Sequence, residues 1–162
     1  MRQSQIRFIR QQGFSGEAFP DSLYNALMLQ PRIVGCLAVA GILLQSAWLF
    51  VTVAAVLWWS ALVPTRNPFD AIYNHVVAYR RGLPPLGKAP TPRRFAAGES
   101  GTVALAIGVA LLAGAAITAW IIEGVFMAGI ASAVFADFCV PAYTYHLLRR
   151  ASPGVSAFSA SN

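Results

Sequence analysis

The chain has 162 residues, 57% of them hydrophobic and 11% charged, with a mean hydropathy of +0.58. Soluble domains average roughly 45–50% apolar and about 25% charged residues, so this composition excludes an ordinary water-soluble core and assigns the chain to a bilayer. The net charge of +6 makes no nucleic-acid footprint, because the Lys and Arg residues are scattered between apolar blocks instead of being gathered on a soluble module.

Residues 1–30 form a cytoplasmic or interfacial segment without a continuous apolar run or cleavage-like site, so no secretory signal is expected. Asp21 or Ser22 can cap a short in-plane helix through Gln30, with Leu23, Leu27 and Met28 on its apolar side and Pro31 ending it. From Ile33 to Val63 there is no charge. As one helix this block would extend about 46 Å, against a hydrocarbon core of roughly 30 Å; folded as a hairpin it gives two short spans. Charge placement favours the hairpin. All twelve basic residues (Arg2, Arg7, Arg10, Arg32, Arg66, Arg80, Arg81, Lys88, Arg93, Arg94, Arg149 and Arg150) then fall on one side, the cytoplasmic side by the positive-inside rule.

The middle segment, 65–95, opens a helix at Pro68 with Ile72, Val76 and Tyr79 on one stripe, then becomes extended through Pro84, Pro85, Pro90 and Pro92. A second apolar block, Gly101 to Tyr145, carries only Glu123 and Asp137 and is long enough for two spans. Gly35, Gly41 and Ala47-Trp48 recur as Gly108, Gly114 and Ala119-Trp120, and Val63-Pro64 as Val140-Pro141. The expected fold is therefore an all-α integral membrane bundle of four transmembrane helices in two parallel-repeat hairpins, with short interfacial helices. The spans lie near 31–46, 48–64, 96–116 and 119–141, the hairpins within 31–64 and 96–148. Outer turns fall around Gln45 to Trp48 and Ala116 to Trp120. Trp48 and Trp120 are the interface anchors, and 149–162 is a disordered cytoplasmic tail.

Candidate functional residues are few. Glu123 lies just inside the outer face, where snorkelling outward competes with a functional role, since an ionisable group within a span is costly. Asp137 is placed to pair with Arg93 or Arg94, and otherwise to serve a proton or substrate path. His75 and His146 hold similar places beside the spans, but two histidines without acidic or thiol neighbours make a poor metal site, and no metal is assigned. Haem held between spans wants His inside the apolar runs, where there is none, and no cofactor is identified. Cys36 and Cys139 read as buried free thiols. Gly101, Gly108 and Gly114, with Ala104, Ala110 and Ala115, give a small-residue surface for close helix packing, inside the bundle or against a partner.

Gln30-Pro31-Arg32, Asn67-Pro68-Phe69, Pro92-Arg93-Arg94-Phe95-Ala96 and Phe138-Cys139 carry a likeness from Gly13 to about Arg150. The chain resembles an uncharacterised bacterial inner-membrane family known as a domain of unknown function, DUF4395. The resemblance implies four spans as two hairpins and no particular activity. Many members end in Phe-Cys-x-Gly-Cys, whose thiols would exchange electrons or bind a metal. Here the stretch reads Phe138-Cys139-Val140-Pro141-Ala142, so Cys139 lacks that partner and dithiol chemistry is in doubt.

No phosphate loop, nucleophile elbow or paired carboxylates appear. The expected function is a non-catalytic accessory or assembly subunit of a larger bacterial membrane complex, respiratory or photosynthetic, with lipid, other membrane subunits or a second copy as partners. The alternatives are a thiol-handling membrane enzyme using Cys139 and a small oligomeric transporter using Glu123 and Asp137.

Overall fold

The computed structural model describes residues 2–15 and 21–151, and every ordered element among them is helical. Helix α1 is Gln3–Gln11, α2 Asp21–Leu44 and α3 Ala47–Leu62. Helix α4, Pro68–Ile72, runs through a π-helical stretch, Tyr73–Ala78, into α5, Tyr79–Arg81; then follow α6 Thr91–Leu112, α7 Ala116–Phe135 and α8 Val140–Ala151. Of the expected disordered tail, 149–162, residues 149–151 instead complete α8, a correction, and 152–162 lie outside the described residues.

Three of these helices, α2, α6 and α7, are long and apolar enough to cross a membrane. Helix α3 has sixteen residues, about 24 Å at 1.5 Å per residue, so the expectation of four full spans is reduced to three plus a shorter apolar helix. The expected break at Pro31 is also corrected, for Pro31 lies inside α2 and the in-plane helix and first span are continuous. Proline cannot donate to the carbonyl of Leu27 one turn back and normally kinks or ends a helix. Membrane helices tolerate it where neighbours shelter the freed group. Helix α6 begins at Thr91 instead of 96, since Pro92 is acceptable in a first turn. Helix α7 stops at Phe135, well short of 141: Asp137 takes a left-handed backbone (φ 52), and α8 starts afresh at Val140.

Close backbone approach sets the order of the bundle. A Cβ on Gly101 would stand 2.5 Å from Trp58 Cδ1 and 3.2 Å from the Ala54 carbonyl. One on Gly108 would stand 2.8 Å from Val51 and 3.2 Å from the Ala47 carbonyl. Rising numbers on α6 meet falling numbers on α3, so the two helices are antiparallel and seated backbone to backbone, with Gly98 beside Ala61 extending the seam. Helix α2 is likewise antiparallel to α7: Gly35 faces Ile130, and the residue after α2, Gln45, reaches Glu123. Val34, Ala38, Phe50, Val53, Leu57, Ala104, Ile107 and Phe126 fill the space between.

Both connections at the far end are built alike. After α2, Gln45 N–H donates to the Ile42 carbonyl and Ser46 N–H to the Gly41 carbonyl; after α6, Gly114 N–H donates to Leu111 and Ala115 N–H to Ala110. These are Schellman closures, with the left-handed position filled by Gln45 (φ 44) and Gly114 (φ 69). Gly114 is thus a turn residue with nothing near its absent Cβ, a correction to its expected packing role. It matches Gln45 in place, not Gly41, which is buried against Phe50.

The exterior is strongly apolar. Leu43, Leu44, Trp48, Leu62, Ile117, Trp120, Ile121, Val125 and Phe135 are all exposed.

Candidate functional site

At the end opposite the two turns, polar side chains from every long helix converge. Arg93, near the start of α6, is 4% exposed and grips Asp70 through both carboxylate oxygens, at 2.6 and 2.9 Å. Its Nη2 also reaches the Gln30 amide oxygen of α2 at 3.5 Å. A fork-on-carboxylate pair of this kind fixes orientation as well as charge. Asp70 is presented by α4, whose start is defined by Asn67 accepting from the Phe69 N–H and by Pro68 in the first turn. The expected pairing of Asp137 with Arg93 or Arg94 does not form. Asp70 takes Arg93, while Arg94 Nε donates to the Ala61 carbonyl at 2.8 Å.

Asp137 serves a different joint. The left-handed turn after α7 aims it at the amino-terminal half of the chain, where it accepts from Ser4 Oγ at 2.7 Å and from the Tyr24 hydroxyl. One carboxylate thereby ties α1, α2 and α7. Cys139 follows, its N–H donating to Gln11 Oε1 at 3.2 Å. Burial pushes the Cys139 thiol up from its ordinary value. Hydrogen bonds from the Ala142 backbone and Gln12 side chain oppose this, and the charge of Glu99 adds to it. A thiol shifted upward offers less thiolate and is a weaker nucleophile. His146 of α8 bonds the Gln11 carbonyl at 3.0 Å. His75 lies exposed in the π-helical stretch. The two histidines therefore serve different elements, and among the described residues no three His, Cys, Asp or Glu side chains could hold a metal.

Between α2, α6, α7 and the start of α8 is a cavity of about 170 Å³. Leu27, Pro31, Val34, Val103, Phe126 and Ile130 make its apolar wall; Gln12, Gln30, Arg93, Glu99, Ser100 and Cys139 supply its polar atoms. Glu99 Oε2 is buried and has no hydrogen-bond partner.

Residues 25–150 match the domain of unknown function DUF4395. The chain belongs to that family. No curated protein and no solved structure matched this DUF4395 member. Gln30, Pro31, Arg93, Ala96 and Cys139, from segments that carried the likeness, are distant in sequence and share the cavity wall. Pro141 also lines it, and Ala142, where a second thiol would stand, is fully buried.

The remaining candidates of this DUF4395 chain lie elsewhere. Glu123 does not snorkel outward: it is 2% exposed, with Gln45 Nε2 at 3.4 Å from Oε2 and no partner for Oε1. It faces the end of α2, where an outward rotamer would have to leave the helix interface. Gly101 and Gly108 are spent on the α3 seam, while Trp48 and Trp120 are exposed. Cys36 is exposed on α2, a correction to its expected burial. Sequence reasoning missed Asp70, Gln30, Gln12 and Glu99. Three were signalled: Gln30 opens Gln30-Pro31-Arg32, Asp70 directly follows Asn67-Pro68-Phe69, and Glu99 is an acid two residues before the second apolar block.

Proposed function

We propose that this chain is a non-catalytic accessory subunit of a larger complex in a bacterial cytoplasmic membrane. The observation that carries the reading is where its polar chemistry is spent. Arg93, Asp70, Asp137, His146 and the Cys139 amide are all engaged in ties between the chain's own helices. The outer faces meanwhile present large apolar side chains. Such an exterior suits lipid and neighbouring membrane helices, and the internal ties suit a rigid docking body. Its partner faces are the exposed aromatic and aliphatic ones, because the Gly101 and Gly108 surface is already covered by α3.

The reading includes four membrane passages. Helix α3 runs beside α6 from Ala47 near Gly108 to Ala61 near Gly98, and so shares its depth despite being short. Both turns then lie on the outer side, the twelve basic residues on the cytoplasmic side and both chain ends with them. The like construction of the two turns supports paired hairpins of one orientation. Thiol catalysis is disfavoured by the elevated Cys139, and transport by the separate contacts of Glu123 and Asp137 at opposite ends of α7.

Native electrophoresis of tagged chain extracted from its own membranes in mild detergent tests the proposal. A stable assembly with defined other subunits is expected. A chain that always migrates alone, with unaffected abundance of every neighbouring membrane complex after its deletion, would overturn it.

A further inference from the structure

We infer that the cavity between α2, α6, α7 and α8 is a binding site for a neutral, apolar-tailed molecule with a ring-sized hydroxylated head, such as an alkylphenol or quinol. The inference does not depend on the accessory-subunit reading. An apolar protein cavity of about 150 Å³ accommodates a benzene ring, and this one measures about 170 Å³. Val103, Phe126 and Ile130 furnish the surface on which a ring would pack.

Polarity is confined and of a particular kind. Arg93 and Glu99 are the charged side chains of the lining, and Arg93 is already neutralised by Asp70. What is left over is an acceptor, the buried and unpartnered Glu99 Oε2, with Ser100 next to it in the chain. An acceptor without a donor is costly in a buried site. A hydroxyl head that donates to Glu99 Oε2 satisfies it, and a head with no donor does not.

The route of entry selects for neutrality. Val125, 66% exposed, and Val140, 41% exposed, belong to both the lining and the apolar exterior. A ligand arriving there comes through hydrocarbon, where a hydroxyl is far less costly than an ammonium group. Its tail remains in the lipid while its head enters.

Gly129 lines the cavity, and a Cβ at this position would meet nothing within 4 Å. Gly129→Leu therefore adds bulk at the cavity wall without a backbone clash, and an interior helical glycine is replaced by a better helix former.

The test uses the full chain in lipid nanodiscs with 4-nonylphenol and its methyl ether, 4-nonylanisole. Binding is read by thermal unfolding and by protection of Cys139 from N-ethylmaleimide, with exposed Cys36 as internal reference. The phenol is expected to bind about tenfold more tightly than the ether, as befits a hydrogen bond that satisfies an otherwise unpartnered buried oxygen. Glu99→Leu should abolish that preference while leaving weak binding of both, and Gly129→Leu should abolish both while the protein unfolds no earlier than wild type. Equal binding of phenol and ether, a preference that survives Glu99→Leu, or undiminished binding in a folded Gly129→Leu protein would each overturn the proposal.

Discussion

The two ends of the bundle are held by different means. At the turn end, two Schellman closures fix the helix pairs through backbone hydrogen bonds. Side chains there add local ties, Gln45 to the Ile42 carbonyl and Ser46 capping α3, with one long contact between Gln45 and Glu123 across the helices. At the other end, side chains from α1, α2, α4, α6, α7 and α8 interlock through Asp70, Arg93, Asp137, Gln11 and His146. A connection of two or three residues leaves a helix pair little freedom. Where connections are long, polar side chains must supply the constraint that the chain does not.

The comparison predicts a graded set of mutational effects. Asp70→Ala should be the most damaging, since it leaves Arg93 buried without its counter-charge; losses of about 3–5 kcal/mol accompany such half-removed pairs. Unfolding of detergent-solubilised protein by sodium dodecyl sulfate would measure it. The paired replacement Arg93→Met with Asp70→Leu should recover most of the loss, and failure to recover would mean that the pair does more than hold helices.

Gly108→Leu should cost somewhat less, about 1–3 kcal/mol as for other overpacked interfaces. The added side chain meets Val51 and the Ala47 carbonyl and must push α3 away from α6. A crosslink between cysteines placed on these helices should become inefficient in that variant, and unchanged crosslinking would contradict the seam.

Asp137→Ala should cost about 1–3 kcal/mol, because the Ser4 and Tyr24 hydroxyls lose their acceptor and alanine is poorly suited to a left-handed backbone. Asp137→Asn should cost less, since asparagine tolerates that conformation and still accepts. A melting comparison of the two separates the backbone contribution from the hydrogen bonds.

Glu123→Gln should have the smallest effect of the substitutions, within about 1 kcal/mol, as the amide oxygen can still accept from Gln45 and closure depends on backbone bonds. A large loss would show that the turn end relies on this carboxylate after all. For Cys139 the effect is on pH dependence. Its folded value is raised above the unfolded one, so its contribution is complete below the unfolded thiol value and is lost as pH rises through the folded value. Alkylation by iodoacetamide should accordingly lag behind that of the unfolded chain at mildly alkaline pH and converge at higher pH. Equal rates throughout would contradict the burial.

Apolar runs made the helical fold, with helices long enough to cross a membrane, and the first turn near Gln45 legible, because these are properties of segments. The second turn is residues 113–115, a correction to the expected Ala116 to Trp120, which instead open α7 because Gly114 supplies the left-handed residue. What a segment cannot reveal is its partner. Asp70 outcompetes Asp137 for Arg93 because α4 folds back beneath α6, a tertiary fact that no local spacing encodes. Pro31 misled because local propensity favours a break there, while the cost within a packed membrane helix depends on its neighbours. Glu99 was overlooked as an interfacial charge; its importance follows from a cavity that exists only after α2, α6, α7 and α8 assemble.

The backbone contact between α3 and α6 has a consequence for the surrounding lipid. On the four-passage topology, α3 offers about 24 Å of apolar length to a hydrocarbon layer of roughly 30 Å. Its close seat on Gly101 and Gly108 denies it an independent adjustment. The mismatch must therefore be met by the bilayer, which thins along one flank of the protein and relaxes on the other. Such a lopsided collar of compressed lipid would give the molecule a preferred side for gathering other short-spanned neighbours.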